Sequence, residues 1–159
     1  MHTPLHRFKS GLTLLEILIV LGLMTIIGSL TVFVSLSTYR DSSFHTDRAT
    51  LIAALQHARA ESIDDVCRGP ACIAGMSHGV SIQSGRFVIF QGGSYVSRYE
   101  GADQVIEANP TIMRTGLTEV IFATSSGNAL VAGTITLTDT NDHSSTITIG
   151  SDGQIIWSN

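Results

Sequence analysis

Lysine is almost missing from this chain. Lys9 is the only one, and charged residues of both signs make up just 14% of the 159 residues. Clustered Lys and Arg are what bind phosphate backbones and anionic surfaces, so broad electrostatic binding to nucleic acid or to anionic lipid is argued against at once. Proline is scarce as well. None of the three prolines lies between Leu12 and Ser62, so nothing in that span forces a helix to break. With two cysteines there is no second ligand pair at metal spacing. Long repeats and low-complexity linkers are missing too. What remains is 43% hydrophobic and reads as one small domain plus a membrane segment, not two globular domains.

The membrane segment expected from the sequence is the run Ile17 to Leu36, which contains no ionisable side chain. A hydrocarbon core takes roughly 20 apolar residues of helix, and Gly22, Thr25, Gly28 and Ser29 are small enough to be tolerated in one. Glu16 stands just ahead of this run. A carboxylate at such a place is costly unless it meets a cation, so it marks a functional site rather than a packing choice.

Gly11, followed by Leu12-Thr13-Leu14-Leu15-Glu16, sits behind a short leader with Arg7 and Lys9 and ahead of the apolar run. It resembles the prepilin-peptidase site of type IV pilins and type II secretion pseudopilins. The resemblance implies a cut after Gly11, methylation of Leu12 as the new amino terminus, and pairing of Glu16 with a neighbouring subunit's amino terminus. Leu12 stands where the family more often has Phe or Met. The partners implied are other pilin or pseudopilin subunits, the prepilin peptidase, an inner-membrane assembly platform and membrane lipid. Loss of Arg7 and Lys9 with the leader leaves seven basic side chains against 13 acidic ones, so the mature chain is acidic. The basic leader keeps the amino terminus cytoplasmic by the positive-inside rule, which makes the chain a single-pass inner-membrane protein with its carboxy-terminal domain on the other side. An ordinary secretory signal fits less well, because it wants a shorter apolar region and a small-residue cut after it.

Phe44, Leu51, Leu55 and Ala58 recur at helical spacing, with Asp47, Arg48, Arg59 and Glu61 between them. One continuous helix from about Leu12 to about Ile63 is expected, on the order of 75 Å long at 1.5 Å per residue. Its first half would lie in lipid and its second half on a domain. The segment Ala54 to Ile63 further resembles the GspH/FimT branch of the family. Next come Cys67 and Cys72, which bound a turn-forming segment. Outside the membrane they would be oxidised, and closing so short a loop would stabilise by about 2 kcal/mol; free thiols are the alternative.

Beyond the cysteines the chain turns to strand chemistry. Val80-Ser81-Ile82 and Phe87 to Phe90 flank a Ser84-Gly85 turn and read as a hairpin. Short strands are expected at Tyr95 to Tyr99, Val105-Ile106, Leu117 to Ala123, Gly133 to Thr138, Thr146 to Ile149 and Gln154 to Trp157, the last three as a meander. The last three again resemble the carboxy-terminal hairpin of the GspH/FimT group. The expected architecture is therefore α+β and pilin-like: a long amino-terminal helix, its first half transmembrane, packed on a small antiparallel β-sheet domain. Its parts are a leader (1–11), a transmembrane and assembly helix (12–36), an amphipathic continuation (37–66) and an extracytoplasmic β-rich domain (67–159).

Other constellations were weighed against this reading. Gly75-Met76-Ser77-His78-Gly79 matches the nucleophile-elbow letters, but a cysteine loop precedes it and a strand follows, where a hydrolase needs strand, turn and helix. Asp139, Asn141, Asp142 and Asp152 lie in turns and could give oxygens to calcium, as some major pseudopilins do, yet no late bidentate Glu follows them. Some FimT-like minor pilins bind DNA through Gly-Arg-x-Arg near the carboxy terminus. This chain has Gly153-Gln154-Ile155-Ile156 there, and Arg86, Arg98 and Arg114 are scattered. No catalytic set and no cofactor is expected. The function expected is assembly, at the tip of a pilus or of a secretion pseudopilus, with DNA uptake or a membrane-tethered hydrolase at Ser77 and His78 as alternatives.

Overall fold

The computed structural model describes residues 13–70, 75–141 and 143–158, without the side chains of 30–41. The chain divides into two compact units, Met1–Asp41 and Ser42–Asn159. Helix α1 runs Leu14–Ile63, and its described side chains fall in two stretches, 14–29 in the first unit and 42–63 in the second.

Thr13 starts the helix. Its Oγ1 accepts the Glu16 N–H at 3.2 Å, and its carbonyl accepts the Ile17 N–H. Thr13-x-x-Glu16 has the spacing of a capping box, in which the side chain at the cap satisfies an orphan donor of the first turn.

In the second unit the helix buries Phe44, Asp47, Leu51, Ala54, Leu55, Ala58, Glu61 and Ser62. Steps of three and four place these on one face. Eight strands follow: β1 His78–Gln83, β2 Arg86–Gln91, β3 Gln104–Glu107, β4 Met113–Gly116, β5 Glu119–Phe122, β6 Gly133–Thr138, β7 Ser144–Ile149 and β8 Ile155–Ser158. They form two four-stranded sheets, ordered β3-β2-β1-β5 and β4-β6-β7-β8, with every pairing antiparallel.

Register carries the core across each sheet. In the first sheet Val80 faces Ile89 and Val120, and Ile82 faces Phe87; in the second Ile135 faces Ile147, and Ile149 faces Ile155. These rows and the helix residues Phe44, Leu51, Leu55 and Ala58 form one hydrophobic cluster. The chain passes from the second sheet to the first through Gly116, Leu117 and Thr118. Gly116 has φ +99°, and a Cβ there would meet the Thr134 carbonyl oxygen, so only glycine fits the crossing.

The expected fold class is corrected. The β part is not one small sheet beneath a long helix but two antiparallel sheets, and within its unit only residues 42–63 of α1 join their core. No helix of the described residues is long and apolar enough to cross a membrane. The transmembrane first half, and with it the single-pass inner-membrane localisation with a cytoplasmic amino terminus, is corrected on that finding. Tyr95 to Tyr99, expected as a strand, is a loop between β2 and β3. There the Tyr95 ring meets Phe90 edge-on at 5.6 Å, and the Arg98 guanidinium lies 3.7 Å from the centre of the Tyr95 ring. The loop side chains thus cover the second face of β2, which alternation alone would have left wet.

Candidate functional site

The first stretch of α1 is apolar on every side. Eleven large hydrophobic side chains between Leu14 and Ile27 are exposed, from 47% at Val20 to 78% at Leu14. Glu16 is the one ionisable side chain among them, and it too is exposed. It lies in the first helical turn, where the partial positive charge of unpaired N–H groups favours a carboxylate. A contiguous apolar surface of this extent is rare on a lone soluble protein. The expected cut between Gly11 and Leu12, and the methylated Leu12, lie outside the described residues.

Cys67 is disulfide-bonded, and none of the described cysteines is free. The sequence offers one other cysteine, Cys72, which lies outside the described residues. The segment that carries Cys67 is held by polar contacts. The Arg68 N–H donates to Gln91 Oε1 at 2.9 Å, and the Arg68 guanidinium pairs with Glu61, which is 5% exposed. His57 approaches the same carboxylate oxygen at 3.5 Å.

Ser62, fully buried at the end of α1, joins three elements. Its Oγ accepts the His78 N–H of β1 at 2.9 Å and donates to the Phe122 carbonyl of β5 at 2.9 Å. Its own carbonyl accepts the Ser125 N–H at 2.8 Å. Helix ends leave their last carbonyls without internal partners, and here the tertiary structure provides one.

Asp47 and Arg114 form the second polar joint. They lie 2.6 Å apart with side chains 3% and 5% exposed. Asp47 Oδ1 also accepts the Asn109 N–H at 2.8 Å, while Arg114 donates to the carbonyls of Asn109 and Ile112 and stacks over Phe87 at 4.9 Å. Sequence reasoning noticed Arg114 only as a scattered cation. The signal present was an Asp at a helical step between Phe44 and Leu51, that is, a charge on the apolar face.

The remaining candidates are dispersed. Ser77 stands directly before β1, with Gly75 at φ +91° ahead of it, so the elbow letters precede a strand and no helix leaves the turn. Among the described residues His78 is buried and both its ring nitrogens lack a hydrogen-bond partner. Burial lowers its pKa. Of the calcium candidates, Asp139 and Asn141 sit in the β6–β7 turn and Asp152 in the β7–β8 turn, at opposite ends of β7; Asp142 lies outside the described residues. Both described carboxylates already serve their own turns. Asp139 accepts the Asn141 and His143 N–H groups and contacts the His143 ring, and Asp152 accepts the Gln154 N–H. Desolvation works against ionisation of Asp139, but these N–H groups prevail and hold its carboxyl below the usual range. Among the described residues no group of three or more His, Cys, Asp or Glu could hold a metal ion. Arg98 donates to Asp103 and Arg114 to Asp47 within the fold, while Arg86 is exposed and donates to Gln83 across the β1–β2 turn.

No family description, no curated protein and no solved structure matches this chain.

Proposed function

We propose that this chain is a pilin-like assembly subunit, a minor pilin or minor pseudopilin. After removal of residues 1–11 by a prepilin peptidase and methylation of Leu12, the apolar helix enters a bundle of equivalent helices from other pilin or pseudopilin subunits. The observation that carries this reading is the stretch Leu14 to Ile27, apolar all round and exposed, with a lone carboxylate at its start. In the bundle water is excluded and an unpaired charge is heavily penalised. Glu16 therefore selects a register in which a neighbour's amino terminus meets it. The second unit, with its own core, would be carried on the filament as a recognition or capping element.

Co-expression with a prepilin peptidase tests the first step. A chain shortened by its leader, and no longer shortened when Gly11 is substituted, is expected; an unshifted band overturns the reading.

A further inference from the structure

His78 has no place in assembly, yet it is buried at the junction of three elements. It is 1% exposed, its ring nitrogens find no well-formed hydrogen bond among the described residues, and its backbone N–H is one of the bonds by which Ser62 holds the end of α1 to β1. A histidine buried in a core with so little hydrogen bonding is destabilising once it is charged, because the ion loses more in water than its neighbours return. We propose that His78 is an acid-triggered release of this joint: taking up a proton at mildly acidic pH, its ring loosens the hold of Ser62 on β1 and β5 and of Glu61 on the Cys67 segment.

The groups around the ring set the direction. From α1 it is faced by Glu61, and from the segment after the helix by Asp65, Arg68 and the Val66 carbonyl. From β2 and β5 come its register partners Gln91 and Phe122, both uncharged. Burial is the largest influence and disfavours the proton. Glu61 and Asp65 draw it in, Arg68 repels it, and the ring stays neutral below the ordinary range of histidine. The Glu61 charge is already engaged by Arg68 and His57, which limits what it can offer His78. A group that protonates less readily in the folded state contributes stability that is whole above the unfolded pKa, near 6.5. That contribution is lost as pH falls from there toward the folded value, with the closed-to-open ratio dropping up to about tenfold per pH unit.

Hydrogen exchange on the full chain, kept in solution with a non-ionic detergent and corrected for intrinsic rates, tests this at about pH 7.5 and about pH 5.5. The amides of Val66, His78 and Ser125 should lose protection at the lower pH, by up to about tenfold, while those of β7 keep theirs. His78→Phe should abolish the difference, and His57→Gln, which touches the same Glu61, should retain it. A wild-type joint indifferent to pH, an unchanged loss in His78→Phe, or its disappearance in His57→Gln overturns the proposal. Should His78→Phe not fold, the wild-type His78 ring resonance decides: a midpoint below 6.5 supports the release, and one at or above 6.5 overturns it.

Discussion

Glu16 has two possible duties that different substitutions separate. At the third position of α1 it can support the cap begun by Thr13, and Gln does that nearly as well as Glu. Pairing with a neighbour's amino terminus needs the charge. Glu16→Gln is therefore expected to leave leader cleavage intact yet abolish incorporation into filaments, scored by shearing and immunoblot; filaments with normal mutant content would reduce Glu16 to a cap. Thr13→Ala should instead cost the first turn about 1 kcal/mol. At the other joint, Asp47→Ala strands a buried guanidinium and should destabilise the second unit by about 3–5 kcal/mol in urea titrations. Replacing Asp47 and Arg114 together by Leu and Met should recover most of that loss, because no charge is then left buried alone. Neither partner is near the other in sequence, so the pairing could not be read there. The apolar context of Asp47 could.

Among the elements, residues 42–63 of α1 were legible because a helical period needs only the order of residues. Phe44, Leu51, Leu55 and Ala58, expected on one face, are all buried. Leu55→Ala removes a fully buried side chain between helix and sheets and should lower stability by about 2–5 kcal/mol in the same titration. The β1–β2 hairpin was legible for a similar reason: Ser84-Gly85 joins Gln83 to Arg86, and Gly85 takes φ +84°. The division of eight strands into two sheets was not legible. It turns on Gly116, one glycine among 15, whose conformation lets the chain leave β4 and enter β5. Gly116→Ala is expected to be among the most damaging single-methyl additions, lowering the melting temperature of the second unit by several degrees, since backbone strain and a clash with Thr134 act together. The Tyr95 to Tyr99 segment misled through its alternation, because aromatics that cover a sheet and aromatics that build one look alike.

For the whole molecule, the second unit has one core drawn from α1 and both sheets, so it should unfold as one body. Trp157 on β8, the only tryptophan, and the far-UV signal of a chain beginning at Ser42 should report coincident transitions; separated midpoints would show the sheets to be independent. Reducing the Cys67 disulfide should lower the common midpoint by an amount equivalent to about 2 kcal/mol.

Local order along the chain determined the lone carboxylate ahead of an apolar run, the helical face from Phe44 to Ala58 and most of the β-branched strands, because each depends on neighbours a few residues away. The tertiary structure alone decided that the strands form two sheets, that Asp47 and Arg114 neutralise one another, that Ser62 fastens the helix end and that His78 is buried. Those outcomes rest on contacts between residues far apart in sequence, whose desolvation and hydrogen bonding exist only once the core has closed.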